Sequence, residues 1–152
     1  MGYLIGIDIG GSTTKIVGLK DGRVSGQLKV KAGDQITSAY GAFGKFLSEN
    51  GLGLKSVDQI MFTGVGASFI GNGMFNLPTK RVDEFRAIGY GGKYLSGLDN
   101  SVIVSMGTGT AFVHVSGKVV KHLGGTGIGG GTLLGLANKL FNIRDFDNIV
   151  DL

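Results

Sequence analysis

The sequence predicts an α/β protein whose mixed sheet is laid down in the order βββαβαβα and then begun a second time. Three observations carry this. Short apolar runs alternate with glycine turns at the start; helical periodicity takes over after the third run; and the opening pattern returns after Asp99-Asn100.

YLIGIDI, TKIVGLK and RVSGQLKV, separated by the turns GGS and DG, read as a three-stranded meander. In ITSAYGAFGKFLSEN the apolar residues Ile36, Ala39, Tyr40, Phe43, Phe46 and Leu47 recur at the spacing of one helix face, and Asn50-Gly51 supplies a stop. DQIMFTG then reads as a buried strand, ASFIGNGMF as a short helix and TKRVDEF as the end of a strand. EFRAIGYGGKYLSGL is helical in period, although its internal glycines oppose helix formation. Met61, Phe62 and Phe69 are expected in the core. Such an order calls for parallel neighbours joined by right-handed crossovers, with helices packed on the sheet.

SVIVSMGTGTAFVHVSGKVVKHLGG repeats the layout of YLIGIDIGGSTTKIVGLKDGRVSGQ, so that Gly107 answers Gly10 and Thr110 answers Thr13 or Thr14. Two copies of one hairpin, each offering a glycine turn to the same phosphate chain across a cleft, are the expected architecture. The domains expected are residues 1–99, complete, and residues 100–152, a second domain that stops soon after its first helix.

Composition narrows the function. With 42% hydrophobic and 17% charged residues the chain is long enough for a real core, and no apolar run approaches the length of a membrane helix. No basic leader precedes the first apolar run, so a cytoplasmic protein is expected, without a membrane partner. The 15 Lys+Arg against 11 Asp+Glu are scattered, which gives no reason to expect nucleic acid. Cysteine is absent, so this chain holds no disulfide, thiolate zinc site or iron-sulfur cluster.

In GIDIGGSTTK a strand ending in Asp8 turns through Gly10, Gly11, Ser12 and Thr13. Backbone N–H groups and hydroxyls in such a turn can bind phosphate oxygens, Asp8 can hold Mg²⁺ through water, and Lys15 can neutralise transferring charge. The second turn, Gly107 to Thr110, presents hydroxyls for a phosphate or a substrate. GGTGIGGGT, residues 124–132, opens a helix; free N–H groups and the positive end of the helix dipole there suit a nucleotide phosphate. Gly125, Gly127 and Gly130 also match GxGxxG with Asp147 downstream, but FNIRDF is too short and polar for the strand that a dinucleotide site needs, so NAD binding is the minor alternative. No GxxxxGK[ST] occurs. Asp83 and Glu84, where a strand meets a helix, are the best general-base candidates, since strand ends line the ligand crevice of α/β proteins. Lys80 and Arg86 read as solvated, His114 as structural, and His122 as a residue facing the ligand.

GIDIGGSTTK, VDEFRAIGYGG, VSMGTGTAF and HLGGTGIGGGTLLGL, in that order and across essentially the whole chain, resemble type II pantothenate kinases, members of the superfamily of acetate kinases, sugar kinases and actin. The resemblance implies a ribonuclease H-like/actin-like ATPase fold and transfer of the γ-phosphate of ATP, with Mg²⁺, to the 4'-hydroxyl of pantothenate, the first step towards coenzyme A. It places the catalytic glutamate on Glu84, the substrate-contacting hydroxyl on Thr108, and the phosphate loop on Gly127 to Gly131, including Gly129 and Gly130. His122 stands where the family usually has an arginine on the pantothenate side; an imidazole cannot give a carboxylate the guanidinium fork. Family members continue past the helix that begins at Thr132, so the chain is expected to be an N-terminal fragment with little turnover of its own, from a protein that is a homodimer. The competing readings are an ATP-binding regulator or activase of the same superfamily, whose cysteine-bound clusters this chain could not hold, and a kinase for another small hydroxylated metabolite.

Overall fold

Alternation builds the first sheet, as a computed structural model describing residues 2–71 and 73–150 shows. In β1 (Tyr3–Ile9) every second residue, Ile5, Ile7 and Ile9, is buried, and β2 (Thr13–Lys20) and β3 (Arg23–Lys31) complete an antiparallel meander. The two-residue turn Asp21-Gly22 joins β2 to β3 with both residues at positive φ, as a tight hairpin requires. β4 (Val57–Thr63) adds parallel to β1 and β5 (Thr79–Arg81) parallel to β4, which gives the order β3-β2-β1-β4-β5. The mixed sheet expected from the sequence is therefore present.

Helix α1 (Gln35–Glu49) is the crossover from β3 to β4. Asp34 caps it, accepting a hydrogen bond from the Thr37 N–H at 2.7 Å, and Asn50 ends it. Ala39, Ala42, Phe43, Phe46 and Leu47 form its buried face with Ile5, Ile7, Ile9 and Ile60 of the sheet, while Ile36, expected on that face, stays 42% exposed. Thr14 is fully buried in this layer, and its hydroxyl has no hydrogen-bond partner among the described residues.

The segment after β4 departs from expectation. In place of a helix over residues 67–75 there is a 3₁₀ turn, Val65–Phe69, followed by an irregular stretch in which Phe75 and Asn76 both take positive φ; Asn72 lies outside the described residues. Glycines at 71 and 73 leave too little helix propensity to propagate the turn. Phe69 is exposed rather than core, Met61 is half-buried and Phe62 is buried as expected.

The chain divides into two units, Met1–Glu84 and Phe85–Leu152, ahead of the boundary expected at Asp99-Asn100. The reason lies in α2 (Glu84–Ser96), which packs on the second sheet. A Cβ at Gly89 would meet the Val120 side chain at 2.7 Å, and one at Gly92 would meet Ile103 at 2.5 Å. The glycines that weaken the helix locally are those that let it lie close to the strands. Lys93 adds an ion pair to Asp99 and a hydrogen bond to the Gly117 carbonyl.

That sheet is an antiparallel meander of β6 (Asn100–Met106), β7 (Thr110–Ser116) and β8 (Val119–Thr126). β6 begins 97 positions after β1 and β7 the same distance after β2, so the repeat read in the sequence is real at the level of strands. Helix α3 (Gly130–Phe141) follows, starting two residues before Thr132, and a short α4 (Asp147–Val150) that no periodicity announces ends the described chain. The final residues of NIVDL, Asp151 and Leu152, lie outside the described residues.

Candidate active site

The first turn sets charged groups at the end of the parallel strands. Asp8 and Lys15 are cross-strand partners on β1 and β2, and Lys15 Nζ lies 2.7 Å from Asp8 Oδ2. Both remain partly exposed, so the pair is reachable by solvent and by a ligand. The turn between them is held by the Gly10 N–H donating to the Thr13 carbonyl at 3.0 Å. Gly10 is thus committed to the hairpin. Gly11 has open space where a Cβ would stand and no partner for its N–H among the described residues, so of the turn glycines it is the one an anion can approach. Ser12 holds β3 through its carbonyl, which accepts from the Ala32 N–H, and Thr13 starts β2.

Two neighbours of Asp8 escaped the sequence reading. Thr63, the last residue of β4, is in register with it. Gly64 follows at φ 87°, and a Cβ there would lie 2.5 Å from Asp8 Oδ1, so only glycine lets the chain turn away from the carboxylate at this point. The signal was available: a hydroxyl and a glycine closing the strand parallel to the one that carries the acid.

The glycine loop has a different reason from the one its composition suggests. The Gly130 N–H donates to the Gly107 carbonyl at 2.8 Å and the Gly131 N–H to the Thr108 carbonyl at 3.1 Å, while the Gly129 N–H meets Thr132 Oγ1 at 3.3 Å. Thr110 Oγ1 donates to the Ile128 carbonyl at 2.8 Å. A Cβ on Gly129 would lie 2.7 Å from the Thr108 carbonyl oxygen, and one on Gly131 would lie 2.6 Å from Thr108 Cγ2. The density of glycine is what allows the start of α3 to lie main chain against main chain on the 107–110 turn. Accordingly the N–H groups of Gly129, Gly130 and Gly131 are not free phosphate donors, contrary to the sequence expectation. Gly127 differs: it has open space at its Cβ position and no partner for its N–H among the described residues. Thr108 is exposed at the head of the turn.

Glu84 opens α2, where a carboxylate complements the helix dipole, and it is exposed, its side chain making no hydrogen bond or ion pair among the described residues. The next residue, Phe85, stacks on His122 with ring centroids 3.7 Å apart and planes within 9°. His122 comes to this place through a bulge: Phe112 pairs with Gly124 but Val113 with His122, which leaves Leu123 over. One imidazole face is covered by the phenyl ring. Lys80 and Arg86 are exposed, as expected, and His114 lies in β7, bonded to Asn100 Oδ1 at 2.9 Å, which is a structural contact. Among the described residues no group of three or more His, Asp or Glu could cage a metal by itself.

A meander extended by two parallel strands, followed by a second copy of the meander, defines the class of protein: this is the ribonuclease H-like/actin-like ATPase fold. Solved structures agree. Component A of (R)-2-hydroxyglutaryl-CoA dehydratase from Acidaminococcus fermentans matches with a TM-score of 0.74 at 17% identity, over 94% of this chain and 55% of that one. The ROK hexokinase of Thermus thermophilus matches at 0.58 and 16% identity, over 93% of this chain and 65% of that one.

Sequence comparison then points to a particular family. The type II pantothenate kinase of Bacillus anthracis is 32% identical over 157 aligned residues, 97% of this chain and 52% of the relative, and the Fumble family model matches residues 99–152. The chain is similar to type II pantothenate kinases over nearly its whole length, as its motifs indicate, and it spans about half the length of the curated relatives it matches. No helix among the described residues is long and apolar enough to cross a membrane.

Proposed function

We propose that this chain forms part of an ATP-dependent kinase that phosphorylates the 4'-hydroxyl of pantothenate. The observation that carries the reading is the Asp8–Lys15 pair beside the open Gly11 amide, at the carboxyl end of parallel strands, in a chain whose relatives bear that enzyme's name. Phosphoryl transfer asks a protein mainly for positioning and charge stabilisation. Lys15 supplies a mobile cation for a phosphate oxygen, and Gly11 and Gly127 supply backbone amides that an anion can reach without meeting a side chain. Glu84, exposed at the start of α2, is the carboxylate assigned to accept the proton of the substrate hydroxyl. Thr108 and His122 are assigned to the acceptor side; because His122 is held flat against Phe85, it can offer an edge nitrogen but no fork to a carboxylate.

Magnesium fits the donor set. A single carboxylate, without a full protein cage, suits an ion that keeps most of its waters and takes its other ligands from substrate phosphates. Asp8 would hold it, and the ion would supply charge neutralisation along the phosphate chain. The homodimer belongs to the same proposal.

ADP release by the full-length protein, measured with pantothenate against glucose, acetate and N-acetylglucosamine, tests the assignment. Pantothenate alone should raise the rate, and Glu84→Gln should lower it by about a hundredfold or more. Equal release with a sugar would redirect the acceptor to another hydroxylated metabolite. Nucleotide binding without release on any acceptor would favour an ATP-binding regulator or activase of the same superfamily.

A further inference from the structure

Asp8 stands between two strands, and each flank carries a polar side chain. On the β2 side Lys15 closes an ion pair at 2.7 Å. On the β4 side is Thr63, whose Cα is in register with Asp8. Residues in register on adjacent strands project from the same face, about 4.8 Å apart, so the two side chains are neighbours. Yet Thr63 Oγ1 is shielded from solvent and has no hydrogen-bond partner among the described residues. A buried hydroxyl without a partner is a destabilising feature, and such groups call for a reason. Valine would fill the same shape and suit a strand equally well, so packing does not supply one.

Two other buried hydroxyls are unpartnered among the described residues, and their settings show the difference. Thr14 faces the α1 layer with Ile9 and Val30 as its cross-strand neighbours, and Ser101 lies in β6 opposite Val115. Neither has an ionisable neighbour in register. Thr63 alone of the three stands beside a carboxylate, and Gly64 keeps the space against Asp8 Oδ1 clear of any side chain.

We propose that Thr63 is a positioning residue for Asp8 when nucleotide binds. The proposal rests on the assignment of Asp8 and Lys15 to a magnesium–nucleotide complex. In the free protein Lys15 holds the carboxylate and Thr63 is idle. When the Lys15 ammonium turns to a phosphate oxygen, Asp8 loses its donor; the Thr63 hydroxyl replaces it, and the carboxylate keeps its orientation.

The test uses purified full-length protein as wild type, Thr63→Val and Thr63→Ser. Thermal midpoints are read without ligand and across titrations with a non-hydrolysable ATP analogue at several magnesium concentrations. Without ligand, Thr63→Val should melt at or above the wild-type temperature, because it removes an unpartnered polar group. With ligand it should need about tenfold more magnesium–nucleotide for the same shift, since hydrogen bonds to charged groups are worth that much or more. Thr63→Ser should restore near wild-type affinity. Wild-type affinity in Thr63→Val would overturn the role while leaving the nucleotide site standing, and so would a lowered midpoint of free Thr63→Val, which marks a structural hydroxyl. A wild type that gives no shift with any magnesium–nucleotide would sink the nucleotide reading itself, and this role with it.

Discussion

Gly129→Ala and Gly127→Ala, two positions apart in one loop, should behave oppositely. At Gly129 the added methyl would sit 2.7 Å from the Thr108 carbonyl oxygen and 2.8 Å from Gly109 Cα, both main-chain atoms that cannot rotate away. The loop must lift from the 107–110 turn, which strains or breaks the bonds from Gly130 to Gly107 and from Gly131 to Thr108. Overpacking of this kind costs about 1–3 kcal/mol and each weakened backbone bond about 1 kcal/mol, so a loss of roughly 2–4 kcal/mol is expected. At Gly127 the same methyl enters open space at an ordinary φ, and its effect on stability should stay within about 1 kcal/mol. Urea and thermal unfolding of the two variants give the comparison, with hydrogen exchange at the amides of Gly130 and Gly131 as the local probe. Gly129→Ala should melt roughly five to fifteen degrees below Gly127→Ala. If the two unfold together, with the Gly130 and Gly131 amides still protected, the contact between loop and turn is not what glycine serves there.

Other perturbations separate binding from folding in the same way. Gly11→Ala and Gly127→Ala should each weaken magnesium–ATP binding about tenfold with little change in the melting of the free protein, because the methyl meets only the ligand; unchanged affinity by calorimetry in both would remove these amides from the site. Thr14→Val should stabilise the first unit by about 1 kcal/mol in urea titrations, since it replaces a fully buried, unpartnered hydroxyl by a methyl of the same size; destabilisation would reveal a partner for that oxygen. Hydrogen bonds from Thr37, side chain and then main chain, hold the Asp34 carboxyl below its ordinary value, and the bond and charge of Lys93 do the same for Asp99. Both contributions are complete above the ordinary aspartate range and are lost as pH falls through the lowered values, so the acid limb of stability should be shallower in Asp34→Asn; an identical limb in that variant would show that the cap does not titrate. Phe85→Leu should remove the ring-current shift on the His122 ring protons in NMR spectra, which would otherwise place the two rings apart.

Strands were the most legible part of the chain, because their evidence is local. Ile5, Ile7 and Ile9 alternate, and the hairpin turns carry their own glycines. The repeat was legible for the same reason. What escaped were features in which glycine means proximity. Gly89 and Gly92 count against a helix when only propensity is weighed, yet they are the contact by which α2 lies on Val120 and Ile103. The run from Gly127 to Gly131 looks like a row of open amides until the 107–110 turn is seen to occupy those of Gly130 and Gly131, and the Thr132 hydroxyl that of Gly129. Periodicity also overstated the segment around Phe69, where an apolar pattern without propagating residues gave only a 3₁₀ turn. Asp8 and Lys15 were visible as an acid and a base around a turn; Thr63 was not, because the neighbour relation comes from a parallel pairing more than fifty residues away.

The first two strands of each meander begin at the same separation, but the two meanders do not bend alike. Ile9 pairs with Thr14 across the first bend and Met106 with Thr110 across the second, so the later ribbon is one residue tighter. That single step changes who faces whom: the position of Asp8 is taken by Ser105, and its opposite number is Ala111. Charge has been kept in one ribbon and given up in the other, whose bend serves instead as a seat for the following helix. A hairpin transplanted from either place to the other would bring the wrong half of this division of labour, and would fit neither.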